Sequence, residues 1–132
     1  MPSVLCVGGD AELLETRAAV LRETGSEVQC TLSSLALAVI ESRSFDLVVL
    51  CHSVRQDEAK QFYEAAHRRL ATTQVLRLNR VRGWLAGSDC KSSDREVNTD
   101  PATVVRAAAE LLGKHELLGK QGEAGKSDVR GA

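Results

Sequence analysis

The sequence predicts an α/β fold, doubly wound about a parallel sheet, and three observations carry that prediction. Two short runs, Val4-Leu5-Cys6-Val7 and Asp46-Leu47-Val48-Val49-Leu50, are apolar without alternation, as strands covered on both faces are. Stretches with helical spacing of apolar residues follow the strand-like runs along the chain. Asp100-Pro101 pairs a capping residue with a proline at the first helical position, a strong helix start. A chain of 132 residues sets an expectation of one domain with a core that stands without disulfides or metal.

Taken in order, Val4 to Val7 is the first strand. Asp10 caps a helix over Ala11 to Thr24, with Leu14, Ala18 and Leu21 on one face, Leu13 and Val20 widening it, and Gly25 stopping it. Glu27 to Thr31 alternates, with Val28 and Cys30 on one side, which suits an edge strand. Ser33 or Ser34 opens a second helix with a stripe of Leu35, Ala36, Val39 and Ile40. Asp46 to Leu50 is the most apolar strand and belongs at the centre. A third helix runs from Asp57 to Leu70 with Ala59, Phe62, Ala66 and Leu70 inward, and Asp57 and Glu58 complement the dipole in its first turn. Gln74 to Leu78 is a fourth strand carrying an unexpected Arg77. Between Asn79 and Asn98 the glycines and serines allow only a short helix, from Arg82 to Ala86, and a weak fifth strand near Arg95 to Thr99. This stretch is expected to be the least ordered of the domain. The last helix, from Asp100, has Val104, Val105, Ala108, Leu111 and Leu112 on its apolar face. The domain spans residues 1–113, and the glycine-rich polar stretch 114–132 is expected to be a disordered tail.

Composition narrows the function classes. A formal net charge of -1 supplies no basic field for nucleic acid or an anionic membrane. The concentrations of arginine, at Arg68-Arg69 and at Arg77, Arg80 and Arg82, read as solvated faces. No apolar stretch nears the roughly 20 residues of a membrane helix, and the first residues do not resemble a signal peptide, so a cytoplasmic protein is expected. The four cysteines, Cys6, Cys30, Cys51 and Cys90, form no C-x-x-C pair and read mainly as small buried residues.

The ends of the first and third strands carry the chemistry, because ligands in open parallel sheets bind outside the carboxyl ends of the strands. Here those ends offer Gly8, Gly9 and Cys51, with the carboxylate of Asp10 a step further along. Cys51 fills space or serves as a reactive thiol; His52 next to it points to the opposite face, whereas Cys6 on the neighbouring strand is a conceivable redox partner. Gly8-Gly9 before a helix suits an anion, although the spacing fits neither dinucleotide nor P-loop patterns and Asp10 competes for the amides. His67 and His115 have no ligand-spaced partners and read as solvated or packing residues. Trp84, the sole tryptophan, is either a core plug or an interaction anchor beside Leu85.

These features, from Ser3 to Leu112, resemble the receiver domain of two-component response regulators. The resemblance rests on the run into Gly8-Gly9-Asp10, the helix stop at Gly25, the run into Cys51, the strand before Asn79, and Asp100-Pro101. It implies a flavodoxin-like five-stranded parallel sheet of order 2-1-3-4-5 with helices on both faces. The family's phosphoacceptor aspartate falls on Cys51, and its acidic metal-binding pair on Gly8 and Gly9. A small hydroxyl residue is replaced by Asn79, and the lysine-proline pair by Val97 and Asn98. Magnesium wants oxygen ligands, and phosphoryl transfer depends on positioning and charge stabilisation, so the resemblance implies a degenerate receiver without phosphorylation, metal or cofactor.

The expected protein is thus a stand-alone, non-enzymatic signalling module in a two-component or phosphorelay setting. It would act by binding another protein, with Trp84 and Leu85 as anchors. The alternative is a small-molecule or anion-binding regulator using the crevice at Gly8-Gly9.

Overall fold

The computed structural model describes residues 2–78 and 93–113. Its centre is a five-stranded parallel sheet of order β2-β1-β3-β4-β5, formed by β1 (Ser3–Gly8), β2 (Glu27–Leu32), β3 (Leu47–Leu50), β4 (Gln74–Leu78) and β5 (Arg95–Val97). The helices are α1 (Ala11–Arg22), α2 (Ser33–Ser42), α3 (Gln56–Arg69) and α4, residues 101–113.

The unbroken apolar runs are apolar because each strand feeds two cores. Val4 and Cys6 of β1, Leu47 and Val49 of β3, and Leu76 and Leu78 of β4 join Leu14 and Leu21 of α1 and Val104, Ala108 and Leu111 of α4 on one face. The residues between them (Leu5, Val7, Val48, Leu50 and Val75) meet Ile40 of α2 and Phe62 of α3 on the other. β1 pairs with β3 in the register Val4↔Leu47 to Val7↔Leu50, so both strands are central, as expected. Each fully buried Leu or Val contributes about 1.5–3 kcal/mol relative to an exposed one. This two-sided burial is the main term that holds the layers together.

Local signals set the helix ends. Asp10 Oδ1 accepts from the amides of Glu12 (2.9 Å) and Leu13 (3.4 Å) and caps α1. α1 ends at Arg22, two residues before the expected Thr24, because Thr24 turns its hydroxyl to the Leu21 carbonyl (2.7 Å) and Gly25 takes φ +79°. At α4, Asp100 Oδ2 accepts from the Thr103 amide at 3.1 Å. α2 leaves β2 directly, with Leu32 at its cap position and no side-chain cap. Its inward residues are Ala36 and Ile40; Leu35, expected in the stripe, is 59% exposed and lines a groove with Leu14 of α1 and Leu32 instead. Asp57 and Glu58 lie in the first turn of α3, and Glu58 Oε1 accepts from the Arg55 amide at 3.1 Å. Ala65 is buried on α3 where Leu70, at the helix end, is only half-buried; on α4, Ala107 is buried and Val105 half-buried.

Arg77 is buried on the α3 side of β4, where its guanidinium reaches the Gln56 side chain and the Val54 carbonyl, the latter at 3.4 Å. Burial pulls its pKa below the ordinary guanidinium value, and Glu96 opposes that pull. β5 is short and mostly exposed, as its composition predicts. The expected short helix from Arg82 to Ala86, with Trp84, Leu85 and Cys90, and the expected tail 114–132 lie outside the described residues. No helix among the described residues is long and apolar enough to cross a membrane.

Candidate functional site at the carboxyl ends of the strands

Hydrogen bonding carries β3 one residue past its end. The Cys51 amide donates to the Val7 carbonyl at 2.8 Å, which continues the pairing of β3 with β1 to Cys51. Its side chain is 0% exposed, and its sulfur lies 3.7 Å from Cys6 Sγ. Gly8 closes this space from the other side. A Cβ added there would meet Leu14 Cδ2 at 3.1 Å and Cys51 Cβ at 3.4 Å, so the helix packs where a larger residue would need room. Gly9 donates its amide to Ser53 Oγ at 2.8 Å. Asp10, already engaged as the cap of α1, has its carboxylate turned onto the helix amides.

Gly8, Gly9, Asp10 and Cys51 therefore come together, as their positions in the sequence imply, but as a packed junction. Two glycines contribute no side-chain oxygen, the one carboxylate is engaged, and the remaining donor is a buried sulfur. Magnesium, which favours several oxygen ligands, does not fit this set. Among the described residues no three His, Cys, Asp or Glu side chains are grouped to hold a metal ion. Val97 packs half-buried against the core, and Asn98 Oδ1 accepts from the Asp100 amide at 2.9 Å. Arg95 pairs with Glu110 of α4. Trp84 and Leu85 lie outside the described residues.

One cation does approach the junction, and it comes from α1. Arg17 is 7% exposed and donates from an Nη to the Thr99 carbonyl at 3.0 Å, bridging α1 to the start of α4. Its signal in the sequence is position: Leu14, Arg17, Ala18 and Leu21 share one helical stripe, so an arginine there must be buried or must reach over the core. The Cys51 thiol is pulled below its ordinary value by a hydrogen bond from Cys6, with the charge of Arg17 adding to that pull and burial opposing it. Cys6 is pushed well above its ordinary value, first by its hydrogen bonds to Cys30 and Cys51 and then by burial. The Cys6-Cys51 neighbourhood weighed from the sequence is thus present, and a third sulfur, Cys30, belongs to it.

A second polar group sits at the opposite end of the sheet. Asp94, just before β5, accepts the Val75 amide at 2.8 Å through Oδ2, which also lies 3.3 Å from His67 Nε2. The His67 ring lies beside Tyr63, with centroids 4.3 Å apart, and the Tyr63 hydroxyl donates to Asp94 Oδ1 at 3.4 Å. His67 therefore helps to tie α3 to the entry of β5, a role its isolated position in the sequence does not announce.

No protein-family model matches the sequence, and no curated protein does. Solved structures share the fold. A response regulator receiver domain protein from Methanospirillum hungatei JF-1 is 20% identical at a TM-score of 0.72, covering 88% of this chain and 97% of its own. A receiver domain protein from Clostridium thermocellum is 14% identical at 0.73, with 89% and 99% covered. A structure of adenylate cyclase from Rhodopirellula baltica is 18% identical at 0.78, with 95% and 97% covered. At such identities the likeness is one of fold. The sheet order 2-1-3-4-5 with helices on both faces is the flavodoxin-like fold of receiver domains, as expected.

Proposed function

We propose that this chain is a degenerate receiver domain that signals by binding another protein and does not accept phosphate. The observation that carries the reading is Cys51: at the position the sequence resemblance gives to the acceptor carboxylate, it is wholly buried against Cys6. Around it, Gly8 leaves room for α1 rather than for a metal-binding side chain, and no lysine reaches in from β5. With no metal ligands, and with Arg17 buried and bound to the Thr99 carbonyl, a transferring phosphoryl group has little to offset its charge. The receiver fold supports a two-component or phosphorelay setting.

In this reading the protein is cytoplasmic, is not an enzyme, needs no cofactor, and does not bind nucleic acid or membrane. Trp84 and Leu85 are the proposed anchors for the partner protein. The alternative, an anion held at Gly8-Gly9, is less well supported because Ser53 takes the Gly9 amide and Asp10 takes those of α1. Incubation with acetyl phosphate and magnesium, followed by intact-mass analysis, tests the proposal. The expected result is unmodified protein, and a stable species heavier by one phosphoryl group would overturn it.

A further inference from the structure

The two edges of the sheet differ in how they are guarded. β5 has three residues and carries Arg95 and Glu96 exposed, the short and charged kind of edge that resists pairing. β2 has six residues in an unbroken register with β1, without proline, lysine or bulge. Its one charge, Glu27, lies 3.9 Å from Arg43. The Glu27 amide donates to the Pro2 carbonyl at 2.9 Å, on the β1 side. Alternate residues of a parallel strand face opposite neighbours, so the amides of Val28, Cys30 and Leu32 point away from β1, where no further strand lies to take them.

The same edge is apolar. Among the described residues the large hydrophobics left exposed are Leu32, Leu35 and Leu37, all at the end of β2 and the start of α2. Leu32 and Leu35 line a groove of about 340 Å³ with Ala11, Leu14 and Glu15 of α1. Glu15 thus marks the carboxyl end of β2. Arg22 follows seven residues later on the same flank of α1, two turns or about 10.5 Å nearer the amino end of the strand. That distance is the rise of about three strand residues, so the acid and the base bracket Cys30. Both are exposed, and neither has an ion-pair partner among the described residues, whose pairs involve other groups. Glu12 and Glu23 lie roughly 80–100° further round, on the outer side of the helix.

We propose that the β2 edge is where two copies of this chain pair, strand to strand and antiparallel, about a two-fold axis at Cys30. The inference does not depend on the signalling role proposed above. Placing Cys30 opposite Cys30, and Val28 opposite Leu32, is the register that engages all three outward-facing residues. The two-fold then sets Glu15 of each copy against Arg22 of the second copy, so the charge pattern complements itself, as an isologous interface requires. Leu32 and Leu35 are covered at both ends of the paired strands. A lone strand from another protein could take the amides, but Glu15 and Arg22 stand on the helix above the sheet. Only a partner with its own helix over the added strand meets them, and this chain carries that helix.

The test uses the full chain carrying Cys90→Ser, in which Cys6 and Cys51 are buried and Cys30 is exposed. Sedimentation velocity over a range of concentrations should show a monomer–dimer equilibrium. Mild oxidation with diamide should give a covalent dimer whose disulfide maps to Cys30 of both copies, since Cα atoms of a hydrogen-bonded antiparallel pair lie about 5.5 Å apart, within disulfide reach. Glu15→Arg alone, or Arg22→Glu alone, sets like charges together at both ends and should weaken the dimer at least about tenfold. Glu15→Arg with Arg22→Glu exchanges the charges and should restore it. A monomer at every concentration up to about 1 mM would overturn the proposal and leave the edge to a strand from another protein. A dimer that the single variants do not weaken, that the double variant does not restore, or that oxidation joins through other residues or not at all would equally overturn it.

Discussion

Cys51→Asp supplies the acceptor carboxylate that the proposed function holds to be missing, yet it places that group in a buried space beside Cys6, with Gly8 and Gly9 offering no metal ligands. A buried polar group without full partners costs about 1–3 kcal/mol, and each kcal/mol lowers the melting temperature of a domain this size by about 4–8 °C. The variant should therefore melt at least about 4 °C lower and still take no phosphate. Unchanged melting together with a phosphorylated product would show that the junction opens to admit a metal. Arg17 provides a second test at this scale. Its Nε has no hydrogen-bond partner in the buried stripe, while an Nη holds the Thr99 carbonyl. Replacing a buried charge with an apolar side chain of similar length is often neutral. Arg17→Met should cost less than about 1 kcal/mol, and Arg17→Ala, which also removes the packed stem, about 2 kcal/mol or more. Equal losses for the two variants in urea unfolding would mean that the Thr99 bond, not the packing, is what Arg17 supplies.

Among the elements, the helices are held at ends that the chain itself encodes. Asp10 and Asp100 each accept backbone amides at a helix start, so alanine at either should cost about 1 kcal/mol. Gly25 has φ +79° and open space around it, so Gly25→Ala should cost at least about 1 kcal/mol through backbone strain alone. Urea unfolding of the three variants separates these effects, and a neutral Gly25→Ala would mean that the turn after α1 relaxes into another conformation. α2 differs from the other helices. It has no side-chain cap and only a narrow buried stripe of Ala36 and Ile40, so its position rests on β2 ending where the helix begins. Its outward Leu35, with Leu32, forms the apolar wall of the groove onto which Cys30 opens. The same local sequence thus ends an edge strand, starts a weakly capped helix and shapes a surface.

For the molecule as a whole, stability should be concentrated in the strands that feed both cores. Leu47 is fully buried in β3, and Leu47→Ala should cost about 2–5 kcal/mol, with loss of cooperative unfolding at the upper end. Partner binding should be separable from that core. Trp84→Ala is expected to weaken capture of the partner protein while leaving the melting temperature nearly unchanged. A melting temperature lowered by several degrees with capture intact would place Trp84 in the core and move the interface to another face.

What was legible in the sequence was legible because its cause is local. The strict apolarity of Val4 to Val7 and Leu47 to Leu50 reports strands covered on both faces, and Asp10, Gly25 and Asp100-Pro101 mark helix ends through their own backbone and side-chain chemistry. The composition of the strand ends, with Gly8, Gly9 and Cys51, was equally plain. The surroundings of those residues were not. That Ser53 takes the Gly9 amide, that Arg17 spans from α1 to Thr99, and that Leu35 is left exposed depend on residues brought together from distant parts of the chain. The row of sulfurs shows the limit most clearly. Cys6, Cys30 and Cys51 are spaced without any motif, and only the order and register of three parallel strands puts them side by side, because a parallel pairing is set by the packing of the whole sheet rather than by a turn between the strands.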